Sequence, residues 1–204
     1  MENSHYLYGN KLFWTNKRIF DIILCLLLLP LLFLFTIILL VFNQFFNKGT
    51  LFFIQKRMGK GCSVFFAIKF RTMSHVEEIT RKYDDPIETN RITPLGRVLR
   101  KMRIDELPQI LNVLKGEMSI IGPRPDYFPH ALEYLKNIEG YRERYTIRPG
   151  ITGLSQIRLG YVESLEGTSK KASIDNYYIK NVGYIIELKI IINTILIIIK
   201  GLGK

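Results

Sequence analysis

The stretch RIDELPQILNVLKGEMSIIGPRPD, Arg103–Asp126, decides the reading of this 204-residue chain. Two adjacent acids, Asp105 and Glu106, stand before Pro108. Leu107, Ile110, Leu111 and Leu114 then recur at helical spacing until Gly116. That pattern predicts a helix that begins at the acids and stops at the glycine. Adjacent residues on a regular helix do not share a face, but at a helix entrance, where the chain is still turning, both can reach one site. One reading is a cap, in which Asp105 accepts main-chain N–H groups and gains about 1 kcal/mol from them and the helix dipole. The other is chemical, because the same setting keeps a carboxylate ionised for nucleophilic attack or for Mg2+.

The neighbouring motifs favour chemistry. GPRPD holds Arg124 between Pro123 and Pro125, and IRPGITGLSQI sets Arg148 before a proline and a glycine. A guanidinium on a stiff turn binds phosphate in a planar, two-pronged way with little entropy to lose. Upstream, TPLGRVLRKMR starts a helix with Thr93 as N-cap and Pro94 at its first position. Its Arg97, Arg100 and Lys101 form a basic face, either headgroup-facing or an anion clamp beside the acids. Gly49–Met73 reads as a β-hairpin turning at MGKGCS, with Lys69 and Arg71 on one face of the second strand. His75–Asn90 reads as a polar surface loop, and SLEGTSKKAS (Ser164–Ser173) as a flexible one.

The net charge of +11 calls for anionic partners. Nucleic acid is disfavoured, because the aromatics near Lys69 read as strand core and not as exposed stacking platforms. Cys25 and Cys62 form no disulfide framework, and His5, His75 and His130 lack ligand spacing. Ile22–Asn47 carries no charge. As a helix it would extend about 39 Å, enough for a hydrocarbon core of about 30 Å. Pro30 interrupts it, and positive charge flanks both ends: Lys17 and Arg18 before, Lys48, Lys56, Arg57 and Lys60 after. The residues alone permit a spanning helix or a re-entrant one that turns near Pro30. YIIELKIIINTILIIIK (Tyr184–Lys200) reads as an interfacial helix or a buried one.

KRIFDI, KFRTM, LGRVLRKMRIDELPQILNVLKGEMSIIGPRP and RPGITGLSQI, in this order and within about Lys17–Lys200, resemble the bacterial sugar transferase family. These are the monotopic polyprenyl-phosphate phosphoglycosyl transferases, here in their small form. The resemblance implies a membrane-associated α/β fold with a re-entrant helix within residues 1–47 and a cytosol-facing catalytic domain over 48–204. Interfacial amphipathic helices and a small β-hairpin complete it. It implies a place at the cytoplasmic face of the bacterial inner membrane, among phospholipids. The implied reaction transfers a sugar 1-phosphate from a UDP-sugar to undecaprenyl phosphate and releases UMP, with Mg2+ as cofactor, as the first membrane step of glycan assembly.

By the same resemblance Asp105 matches the nucleophile that carries a covalent phosphosugar, and Glu106 its partner; both would hold the metal. Arg100, Arg124, Arg148, Lys69, Arg71, Pro123, Pro125 and Gln156 are expected to bind substrate, and Asp175 matches a further acidic position. Leu29-Pro30 stands where the family has Ser-Pro, leaving Thr36 as the nearby hydroxyl to serve freed carbonyls. The donor sugar stays open, as does the choice between monomer and homodimer.

Overall fold

A 36-residue apolar helix, α1 (Lys11–Phe46), opens the fold, capped by Asn10, whose side-chain oxygen accepts the Phe13 N–H at 2.8 Å. The computed structural model describes residues 9–47, 49–74, 76, 85, 88–160, 162 and 164–201. Pro30 lies inside α1 and does not end it. Thr36 bonds the Leu32 carbonyl at 2.7 Å, so its hydroxyl does not serve the Leu26 carbonyl that a proline at position 30 frees. Most of α1 is apolar surface, with Leu27 71% and Phe33 68% exposed, and it is long and apolar enough to cross a membrane.

One stripe of α1 behaves differently. Lys17, Asp21, Cys25, Leu32, Leu39 and Asn43, at steps of four and seven, are buried. Its polar members make joints at both ends of the helix. Lys17 pairs with Glu187 at 2.7 Å, and Asp21 accepts the Ile120 N–H at 3.0 Å. At the far end, Asn43 donates to the Gly49 carbonyl and Asn47, the next residue after the helix, to that of Arg71.

The expected hairpin is present. β1 (Phe52–Met58) pairs antiparallel with β2 (Val64–Phe70), Phe52 opposite Phe70 and Met58 opposite Val64. Phe65, Ala67 and Phe70 enter a core with Cys25, Leu99, Ile110, Val113 and Met118. Next come α2 (Pro94–Lys101), a 3-10 segment (Ile104–Gln109) and α3 (Ile110–Lys115). Gly116 ends α3 at φ +86°, where a side chain would be strained. β3 (Ser119–Ile121) pairs in parallel with β4 (Gly150–Thr152) across α4 (Phe128–Asn137) and a 3-10 turn, Tyr141–Tyr145. α5 (Leu154–Leu159), α6 (Leu165–Lys180) and α7 (Tyr184–Ile199) close the chain. Among the described residues the architecture is thus mixed helix with two two-stranded sheets.

One loop reading changes. Ser164–Ser173 is not a flexible loop but the first turns of α6 and its cap. The Ser164 hydroxyl accepts the Gly167 N–H at 3.0 Å, and Lys171 reaches Asp126 at 2.6 Å, so long-range pairing orders a polar sequence. The His75–Asn90 loop lies largely outside the described residues. α7 is no core helix: Ile185 and Ile199 are each 75% exposed, and only Glu187 and Ile190 are buried. A helix that turns its aliphatic side chains outward and its one acid inward has the pattern of an interfacial element.

That buried acid generates a stability prediction. Glu187 holds both Lys17 and the Tyr178 hydroxyl. Glu187→Leu leaves Lys17 buried without a counter-charge, and thermal unfolding in detergent should show a loss of about 3–5 kcal/mol. Lys17→Met combined with Glu187→Leu should recover more than half of it; an equal loss in the double variant would refute the pairing.

Candidate active site

The site begins with how α2 ends. Thr93 caps α2 by accepting the Gly96 N–H at 3.0 Å, and Arg103 then takes a left-handed backbone, φ +59°. That turn starts the 3-10 segment, so Asp105 and Glu106 sit within its first turn against β2. Asp105 is not an N-cap: the segment has no side-chain cap bond.

Glu106 is surrounded by cations. Arg124 grips it with both terminal nitrogens, Nη1 to Oε2 at 3.0 Å and Nη2 to Oε1. Lys69 reaches Oε1 at 2.9 Å, and Arg103 lies 3.8 Å away. Burial alone would raise the Glu106 carboxyl, but the Arg124 and Lys69 charges outweigh it and hold it well below the ordinary glutamate value. Burial pushes Lys69 down to about 8, with the Glu106 charge opposing.

Asp105 stands in contrast. It is buried, yet its carboxylate accepts no hydrogen bond from the described residues. Burial pushes it up to about 6 and the Glu106 charge adds to this, while Lys69, Arg100 and Arg124 offset part of the rise. Two neighbouring acids thus have opposite characters: one neutralised and committed, the other unpartnered and poised near neutral pH. Arg57, Gln109 and Pro125 line the adjoining recess with Lys69 and Arg124.

The other expected substrate residues divide. Arg100 stays close enough to act on Asp105, its Nε bonded to the Thr72 hydroxyl at 2.9 Å. Arg71 points elsewhere: its Nη2 bonds the Asn47 carbonyl at 2.7 Å, and the guanidinium fills the space that Gly49 leaves by lacking a Cβ. Pro123 and Pro125 act through their carbonyls, which accept the Gly150 N–H and Arg57 Nη1. Gln156 bonds the Ile151 carbonyl at 3.1 Å. Arg148 bonds the Gly116 carbonyl at 2.8 Å, at the opposite end of α3 from the acids.

Asp175 belongs to a buried network that the sequence did not reveal. Its Oδ2 accepts Arg144 Nε at 2.8 Å; Arg144 Nη1 bonds Asp126 at 2.5 Å and Nη2 the Arg124 main-chain carbonyl at 2.9 Å. The Arg144 side chain is 0% exposed. Lys171 and the Tyr141 hydroxyl also hold Asp126. Arg144 therefore locks the turn that aims Arg124. In the sequence it is one of two arginines in GYRERY, and no spacing sets it apart.

Among the described residues no three acids, histidines or cysteines converge as a metal cage. Mg2+ commonly takes one or two carboxylates, with water and substrate phosphate completing its shell. Asp105 offers free oxygens for that role. Both Glu106 oxygens already accept from Arg124, so a metal there would share them with the guanidinium.

A family model described as bacterial sugar transferase matches residues 12–201. The chain is 37% identical over 187 residues to the UDP-N-acetylgalactosamine-undecaprenyl-phosphate N-acetylgalactosaminephosphotransferase of Aeromonas hydrophila, covering 92% of this chain and 44% of the relative. It is 36% identical over 181 residues to a UDP-glucose:undecaprenyl-phosphate glucose-1-phosphate transferase of Klebsiella pneumoniae, covering 88% and 39%. An exopolysaccharide production protein of Rhizobium leguminosarum is 34% identical over 195 residues, covering 88% and 92%. The chain thus spans less than half the length of the first two relatives and nearly all of the third. With the match running along almost its whole length, the protein belongs to the bacterial sugar transferase family.

Proposed function

We propose that this protein transfers a sugar 1-phosphate from a UDP-sugar to undecaprenyl phosphate, with Asp105 as the nucleophile. The observation that carries this reading is the unpartnered Asp105 carboxylate beside a fully neutralised Glu106, within the field of Arg100, Arg124 and Lys69. The names of the two enzymes from Aeromonas and Klebsiella describe that reaction class.

An Asp105 oxygen attacks the phosphorus that bears the sugar, and the bond to the bridging diphosphate oxygen breaks, releasing UMP. The lipid phosphate oxygen then attacks the same phosphorus, frees the Asp105 carboxylate and leaves undecaprenyl-diphospho-sugar. An anion attacking an anionic diphosphate needs its charge neutralised. Arg100 and Arg124 supply part of this from fixed positions. Asp105 would hold Mg2+, which would supply the rest of that charge neutralisation. Glu106 keeps Arg124 and Lys69 from collapsing onto Asp105 as ion-pair partners.

We further read α1 as re-entrant, placing the acids at the cytoplasmic face of the inner membrane. A straight helix of this length would extend about 54 Å. Yet Lys17 and Asp21 at its start and Asn47 just past its end all bond to one body. A single span would carry one end across the bilayer, away from that body.

Intact mass after incubation with a panel of UDP-sugars and Mg2+, without lipid acceptor, should show a sugar-phosphate adduct mapping to Asp105. Asp105→Asn should lack it and lose turnover by about 10³-fold or more. Full turnover in that variant would exclude Asp105 as nucleophile.

The pH dependence of kcat/KM gives a separate check. The nucleophile must be ionised, so the rate should rise with unit slope to about pH 6; it should fall above about pH 8, where Lys69 loses its proton. Glu106→Gln removes the charge that raises Asp105 and frees two cations to pair with it. Its acidic limb should move below pH 6 while the plateau drops; an unmoved limb would separate Glu106 from Asp105's ionisation.

A further inference from the structure

Between the first turns of α1, the hairpin turn and the β3–β4 pair lies an open cleft of about 200 Å³. It shares no lining residue with the recess beside the acids. Trp14, Arg18, Lys60, Ser119 and Arg148 border it, together with Lys17 and Asp21.

Most of the charges there have structural duties. Lys17 is paired with Glu187, and Asp21 accepts the Ile120 N–H. Arg18 bonds the Val113 and Leu114 carbonyls and Arg148 Nε that of Gly116, satisfying the open end of α3. Those duties leave donors over. Both terminal nitrogens of Arg148 and the exposed Lys60 ammonium make no hydrogen bond or ion pair with the described residues. Ser119, which borders the cleft, is only 2% exposed, and its hydroxyl is buried without a hydrogen-bond partner. An unpaired buried hydroxyl is costly, and native structures rarely keep one without a reason.

We propose that this cleft is a second phosphate-binding site, distinct from the acid site, in which Ser119, Lys60 and Arg148 donate to the oxygens of one phosphate group. With Lys17 matched by Glu187, the remaining charged side chains of the lining are three cations, Arg18, Lys60 and Arg148, against one acid, Asp21. That surplus and three donors bordering one cleft suit a tetrahedral oxyanion. The source is either a phospholipid headgroup or a soluble phosphate. Trp14 and the start of the apolar helix place the cleft where headgroups would lie, which favours the lipid.

The test titrates the full chain, in maltoside detergent and phosphate-free buffer, with short-chain phosphatidylglycerol, inorganic phosphate or UMP. Thermal midpoint and calorimetric Kd are read together. A saturable stabilisation by at least one of the three is expected; because UMP also leaves from the acid site, the source is identified by the arm whose Kd both Lys60→Glu and Ser119→Ala weaken. Lys60→Glu and the charge-neutral Ser119→Ala should each weaken that binding about tenfold. Ser119→Ala should also raise the ligand-free midpoint, because it removes an unpaired buried hydroxyl. Arg100→Ala should leave the binding intact, which separates this cleft from the acid site whatever the outcome there. No saturable binding in any arm overturns the proposal. So does binding that survives both Lys60→Glu and Ser119→Ala, or that Arg100→Ala abolishes.

Discussion

The two-pronged contact between Arg124 and Glu106 is the constraint on which the site depends. A carboxylate buried beside a second carboxylate would protonate or force the acids apart unless fixed cations faced one of them. Arg124 meets Glu106 through both terminal nitrogens, and Lys69 adds a third contact from β2. The GPRPD turn, the second hairpin strand and the 3-10 segment are thereby held at one point. The same contacts leave Asp105 as the acid without a partner, which a nucleophile requires. Arg144 supports this from behind through the Arg124 carbonyl, itself anchored by Asp126 and Asp175. The chain therefore places two layers of buried charge behind one free carboxylate.

α1 applies the same logic to attachment. Most of its apolar surface is exposed, but Cys25, Leu32 and Leu39 pack into the core, and Lys17, Asp21 and Asn47 each end in a bond to the rest of the protein. Polar groups along a helix of this kind are costly unless paired, so their pairing fixes how the helix is rotated against the body. α7 reverses the usual pattern in the same way, with Glu187 inward and isoleucines outward. The two helices meet at the Lys17–Glu187 pair, so the elements with the most apolar surface are joined by an ion pair.

Features carried by local pattern are legible in the residues themselves. The hairpin, the Thr93–Pro94 start of α2 and the glycine stop at Gly116 follow from steric rules that act within a few residues. The association of Asp105 and Glu106 with Arg124 is legible as chemistry, since stiff turns and paired acids are scarce combinations. Ser164–Ser173 misleads because its composition is that of a loop, while its helix is secured by Lys171 and Asp126, 45 residues apart. Arg144 stays hidden because an arginine in a polar segment is normally on the surface.

The sequence by itself determined which residue types could form a phosphate-handling site, where the apolar helices run and which turns hold arginines. Tertiary structure alone decided how each charge is employed. Arg124 faces a carboxylate, whereas Arg71 and Arg148, in equally suggestive motifs, face the carbonyls of Asn47 and Gly116. The physical reason is that a guanidinium's partner is set by which acceptor the fold desolvates beside it. That acceptor lies tens of residues away, beyond the reach of any local pattern.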